Sequence, residues 1–202
     1  EEVVSGADLS GRDYAGHSFA GRDLRGVCLD GARLVGVDFS RCDLQDARLE
    51  QADLTGALFV GADLTGAVLV GARMEGVQLA EAQLAGANLQ AVDLTRADLS
   101  RARAENANFR DVRLLGATLD AACLDGACFA AADLRGASVK GSSFKGAEVT
   151  QLRLGGVVGF GRDPVGALRE QGAVGVDEIA PELTARLSRV GQRMLLAWLV
   201  AM

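Results

Sequence analysis

From Val4 to Leu154 every fifth residue is Leu, Phe, Met, Val or Tyr, with Ala104 the single exception. The phase holds over 31 successive positions. An α-helix repeats its buried face about every 3.6 residues and a strand every second residue, so neither keeps side chains five apart on one side. A chain that turns a corner every five residues does. The positions around each centre repeat as well. Two residues before it stands Ala in most units (Ala52, Ala57, Ala62, Ala67, Ala72), and one before it is often Asp (Asp53, Asp63, Asp93, Asp98, Asp133). Two residues after it is usually Gly (Gly56, Gly61, Gly66, Gly71, Gly76). The apolar centres therefore point one way. The corner falls at the glycine, whose backbone accepts conformations that other residues resist.

Read at a period of twenty, the sequence sorts into columns. Phe19, Phe39 and Phe59 share one interior column, followed by Leu79, Leu99 and Leu119; Phe109 and Phe129 share another. One exterior column runs Asp13, Arg33, Asp53, Arg73, Asp93, Arg113, Asp133, Arg153. If four five-residue units close one circuit, each charge has an opposite neighbour in the coil above and the coil below. Exposed pairs contribute only about 0–1 kcal/mol each. Their clearer role is register, because a slip of one coil sets like charges together. A second exterior column runs Asp23, Asp43, Asp63, Gln83, Arg103, Cys123. Two readings of its three acids stay open: carboxylates that accept hydrogen bonds from corner amides, or an anionic stripe strengthened by Asp30, Asp46 and Glu50.

The unit Ala52-Asp53-Leu54-Thr55-Gly56, repeated as Ala62-Asp63-Leu64-Thr65-Gly66, resembles the pentapeptide repeat family, A(D/N)LXX, over about residues 2–156. The resemblance implies an all-β solenoid, a right-handed quadrilateral β-helix of nearly eight coils with four pentads per coil. A C-terminal α-helical segment would cap it or join two copies. Coils stacked at about 4.8 Å make a rod about 37 Å long. The expected division is a β-helix over 1–156 and a helical tail over 157–202.

Both ends depart from the repeat. Arg12, His17 and Arg22 stand where later coils have Ala, which suits an open end facing water. After Gly155-Gly156 the five-residue register stops. Asp163-Pro164 reads as a helix start, with Asp as N-cap and Pro in the first turn, and Gly172 reads as its stop. A second, longer helix is expected from near Asp177 or Pro181 to near Met202, with Leu183, Leu187, Val190, Met194 and Trp198 at helical spacing. Its second half, including Leu195, is apolar on every side and needs cover. The expectation is that it closes the last coil and also pairs with a second copy, giving a homodimer; a cap alone is the alternative.

Charge narrows the partner. The net charge is −6, yet residues 157–202 carry five acids and five bases, and residues 1–66 carry 12 acids against six Arg. The imbalance lies in the first third of the rod. That argues against nucleic acid as a direct ligand and permits a basic partner. Four cysteines (Cys28, Cys42, Cys123, Cys128) show no CxxC spacing. They read as reduced small residues, with no disulfide or metal role, which suits a cytoplasmic chain. The apolar run at the tail is too short to span a bilayer, so no membrane role is expected. The start at Glu1 leaves a tag, a processed end or a larger parent open. His17 is the only histidine, no nucleophile stands at a recognisable spacing, and the Gly-rich stretch Gly155–Gly161 lacks a P-loop Lys. Neither an enzyme nor a cofactor is expected.

The resemblance then implies a role. Members of the family that protect DNA gyrase and topoisomerase IV from quinolones or natural poisons are acidic rods, often dimerised through a C-terminal helix. A rod of about 37 Å matches about 11 base pairs at 3.4 Å each. The expected contact with such a type II topoisomerase is the acidic surface of Asp23, Asp30, Asp43, Asp46, Glu50 and Asp63, acting as a DNA mimic. The dimer or cap contact is Leu183, Leu187, Val190, Met194, Leu195 and Trp198. The chain departs from some of these proteins in having no loop inserted between repeats. The alternative is a rigid scaffold or interaction module for an unrelated partner, part of a larger protein or an effector. In that reading Leu58, Val60, Val68 and Val70, expected to point outward, form a contact patch.

Overall fold

A computed structural model describes residues 5–160 and 163–176. Each five-residue unit closes on itself first. The carbonyl of the central residue accepts from the N–H three residues on, as in Ala47 N to Leu44 O at 3.0 Å and Ala52 N to Leu49 O at 3.2 Å. The third residue of that turn, the corner, has left-handed φ while its neighbours do not, the pattern of a type II turn. Gly66 is one such corner, at φ 70°. Twelve non-glycine residues, among them Arg41, Asp46, Gln51 and Arg96, adopt the same conformation at φ 57–61°. The strain is of order 1 kcal/mol each. It is tolerated because the turn bond and, at all but Gln151, a bond to the next coil fix the corner, and no β-branched residue stands at any of the twelve.

Corners repeated every five residues bring the chain round, and the circuits stack in parallel. Among the described residues every bridge but the last joins residues twenty apart, from Asp8–Cys28 to Ser138–Val158. The twenty-residue period read from the columns is the observed circuit. The central N–H donates to the coil above (Leu29 N to Arg48 O, 2.7 Å), and that coil donates back (Arg48 N to Val27 O, 2.9 Å). Four faces result. The first carries Leu24, Leu44 and Leu64 at its centre, the second Leu29, Leu49 and Leu69, the third Leu34, Leu54 and Met74, and the fourth Phe39, Phe59 and Leu79. Consecutive faces meet at a corner, so the first lies opposite the third and the second opposite the fourth.

The core is one continuous column of these centres and of the small residue two before each. Both kinds are buried from Val27 to Val139. Phe19, Phe39 and Phe59 stack with centroids 5.4 and 5.1 Å apart, and Phe109 lies nearly parallel to Phe129 at 4.9 Å. Cys42 fills a small-residue position, and its thiol donates to Phe19 O at 2.7 Å. Burial pushes that thiol above its ordinary pKa. At the open N-terminal end Arg12, His17 and Arg22 are exposed. There Tyr14 meets His17 and Phe19 edge to face, at 5.5 and 5.4 Å.

The other end is closed by the chain itself. Helix α1, Pro164–Glu170, begins as expected, with Asp163 as N-cap accepting from Gly166 N at 2.9 Å and Gly172 left-handed just after it. The ladder outlasts the five-residue sequence pattern. Val158 bridges Ser138, and after α1 the chain returns to set Val174 on Glu148. Leu168 of α1 is fully buried against the core. No helix among the described residues is long and apolar enough to cross a membrane. The second helix expected in the tail, with Leu183, Leu187, Val190, Met194, Leu195 and Trp198, lies outside the described residues.

Candidate partner-binding surface

Asp is favoured just before each centre because its carboxylate satisfies the turn. Asp23 accepts from Arg25 N at 3.2 Å, Asp43 from Gln45 N at 3.2 Å and Asp63 from Thr65 N at 2.9 Å. The first of the two readings of this column is therefore realised in the geometry. It does not exclude the second, since each carboxylate keeps an outer oxygen. Asp23, Asp43 and Asp63 bridge one another in successive coils of the first face.

Cations thread the stripe. Arg25 contacts Asp23 Oδ2 at 2.5 Å and reaches Asp43 Oδ2 at 3.5 Å. Gln45 Nε2 donates to Asp63 Oδ2 at 2.8 Å. The Arg25 guanidinium and N–H hold Asp23 below the usual carboxylate pKa. Burial pushes Asp63 up, but the hydrogen bonds from Thr65 and Gln45 outweigh it and its pKa ends low. On the adjoining second face Asp30 accepts from Arg48 Nη2 at 2.7 Å and from Glu50 N at 2.9 Å. Burial raises Asp30, and these donors together bring it below its ordinary value. Glu50 lies 3.8 Å from Arg48. Asp46 occupies the left-handed corner between the two faces, its carboxylate lying over Gly66.

The structure thus gathers all six expected acids on two adjoining faces. Arg22, Arg25 and Arg48 share those faces, and the patch remains net negative. Arg25 and Arg48 escaped the sequence reading. Their signal was available: contacts across coils also occur between residues eighteen apart, as in Asp30–Arg48 and Gln45–Asp63.

The alternating column lies on the third face, opposite the stripe. Each Arg there pairs with the Asp twenty residues before it: Arg33–Asp13 at 2.8 Å, Arg73–Asp53 at 3.8 Å, Arg113–Asp93 at 3.6 Å and Arg153–Asp133 at 3.8 Å. The expected aliphatic patch is divided. Leu58 and Val60 are exposed on the fourth face, while Val68 and Val70 are half-buried on the opposite, second face. The four cannot form one contact. Among the described residues no three His, Cys, Asp or Glu side chains gather to hold a metal ion.

The turn-capping acids make stability depend on pH. Asp8, Asp13, Asp23, Asp38, Asp53, Asp63 and Asp133 all have lowered pKa values in the fold. A depressed carboxylate stabilises fully above its unfolded value, about 3.9, and the gain disappears as pH falls through the folded value. The melting temperature followed by circular dichroism should stay level from about pH 7 to about pH 5 and drop below about pH 4. A level melting temperature down to about pH 2.5 contradicts this.

The sequence profile of pentapeptide repeats matches in 8 copies, over residues 5–41, 42–79, 78–116, 97–136 and 122–158. The chain belongs to the pentapeptide repeat family. Solved structures of other proteins share its fold. HetL, involved in heterocyst differentiation regulation in the cyanobacterium Nostoc sp. strain PCC 7120, superposes with a TM-score of 0.61 at 24% identity, over 76% of this chain and 85% of HetL. Full-length QnrB1, a plasmid-mediated fluoroquinolone resistance protein, gives 0.61 at 22% identity, over 83% of this chain and 91% of QnrB1. A trypsin-treated variant of QnrB1 gives 0.59 at 23%, over 84% and 91%. At these identities the likeness is one of fold. Among curated proteins, sequence comparison gives no match.

Proposed function

We propose that this pentapeptide repeat protein is a non-catalytic, right-handed rod of nearly eight coils that engages a basic protein surface as DNA does. The partner in this reading is a type II topoisomerase, DNA gyrase or topoisomerase IV. The observation that carries it is the patch of Asp23, Asp30, Asp43, Asp46, Glu50 and Asp63 on two adjoining faces of a rigid rod. Carboxylates repeated in successive coils offer a basic groove a fixed line of negative charge, with little ordering entropy left to lose on binding. The fold shared with QnrB1, a fluoroquinolone resistance protein, is consistent with this use of the rod. A homodimer joined through the C-terminal helix belongs to the same proposal and would double the length of charged surface.

The test is gyrase supercoiling with purified protein, with and without a quinolone. An effect on the enzyme is expected, and Asp43→Lys with Asp63→Lys should weaken it by at least roughly tenfold. Asp43→Asn with Asp63→Asn keeps a turn acceptor and removes the charge, so it should weaken the effect, with only a modest drop in the melt from the loss of the ionised Asp63. If the Lys pair leaves the effect intact, the stripe is not the contact. Leu58 and Val60, at 37% and 41% exposure on the fourth face, favour the second reading, a scaffold for an unrelated partner. That reading gives no change in supercoiling at any concentration.

A further inference from the structure

We propose that the third face is a docking surface for a second copy of this chain, laid antiparallel. The argument is the sign pattern of its exterior column. Eight charges alternate from Asp13 to Arg153, beginning with an acid and ending with a base. Because the number is even, a two-fold axis across the rods sets every charge against its opposite. Asp13 meets Arg153 of the second copy, Asp53 meets Arg113 and Arg73 meets Asp93, while Arg33 falls over Asp133, which is buried and already held by Arg135. Parallel rods related by a two-fold axis set like against like. All four Arg of the column are exposed and carry guanidinium donors beyond those used in their own chain.

The same operation finds partners for two other charges. The corner between the third and fourth faces is glycine at seven of its eight positions, and Arg96 is the exception. Arg96 and Glu75 are exposed, and neither has an ion pair among the described residues. The antiparallel arrangement places Arg96 of one copy over Gly76 of the other, beside Glu75, and does so twice by symmetry. The remaining glycines of that corner let the two backbones approach closely. A recess of about 340 Å³ lined by Leu115, Asp133 and Arg135 lies where Val35 of the second copy falls. No other face matches in full: on the second face the operation sets Asp8 against Glu148, and on the fourth it pairs mostly neutral residues. Docking here leaves the acidic first face, on the far side of the rod, open.

Sedimentation velocity of the full chain tests this. Association should weaken between about 50 and 500 mM salt, where the screening length falls from over 10 Å to a few Å. Glu75→Arg alone and Arg96→Glu alone should each lower association by roughly tenfold, and an equimolar mixture of the two should restore it, since only mixed pairs are then complementary. Thr55→Cys mixed with Leu115→Cys should form an interchain disulfide, identified by peptide mapping. The two positions are three coils apart within one chain, about 14 Å, beyond reach of an intrachain bond. Wild-type protein that stays monomeric overturns the proposal. So do charge variants that associate like wild type, as a dimer held by the tail alone would, or a mixture of the two cysteine variants that forms no link between these positions.

Discussion

Phe129→Ala is expected to remove about 3–5 kcal/mol of stability, the largest effect of any single truncation in the rod. Phe129 is fully buried, stacked on Phe109 at 4.9 Å and in contact with Phe144 at 5.6 Å. Loss of transfer energy accounts for part of the cost. The cavity accounts for the rest, because the walls around it cannot move in. Each is a ladder of coil-to-coil hydrogen bonds, here Phe129 N to Glu148 O at 2.7 Å, and closing the gap means bending four ladders at once. Urea denaturation measures the loss. Since each coil contacts only its neighbours, amide exchange should rise first in the coils around Phe129 and last around Phe39. A loss below about 1 kcal/mol would mean that the square coil collapses more easily than its hydrogen bonding implies.

Leu168→Ala should release the C-terminal cap at a cost of about 3 kcal/mol. Seven residues of helix do not hold by themselves in water. Helix α1 persists because Leu168 is buried on the last coil and Asp163 satisfies its first turn. Two backbone groups report on the docking. Phe144 N donates to Gln171 Oε1 at 2.8 Å, and Val149 N donates to Val174 O at 2.8 Å. On truncation, exchange protection of these two amides should fall by roughly a hundredfold, the equivalent of about 3 kcal/mol, with Leu44 unchanged. The freed ladder edge should then promote concentration-dependent aggregation. Equal protection in the variant and the wild type would show that the cap is held by other contacts.

Much of the candidate surface could be read directly because the repeat has a fixed period. Once the circuit is twenty residues, the column of any side chain is arithmetic, and Asp23, Asp43 and Asp63 fall in line without coordinates. The charge balance of that surface was harder to see. Arg25 and Arg48 neutralise part of it through contacts between residues two or eighteen apart, which depend on how long side chains lean between columns. The aliphatic patch is ruled out by the column arithmetic itself. Leu58 and Val60 lie ten residues from Val68 and Val70, half a circuit, and half a circuit is the opposite face.

The sequence by itself determined the circuit, the inward residues and the outward columns, because a period of five held in phase over thirty-one units admits one way of burying its apolar centres. It also showed the α1 start, through Asp163 and Pro164. Only the tertiary structure decided the ends and the surface chemistry. Val174 completes a coil from beyond a helix, where no repeat marks it, because an unpaired ladder edge is satisfied by any backbone that reaches it. Twelve non-glycine corners hold a left-handed backbone that their own preferences resist, because the turn bond and, at eleven of them, a bond to the next coil hold them there.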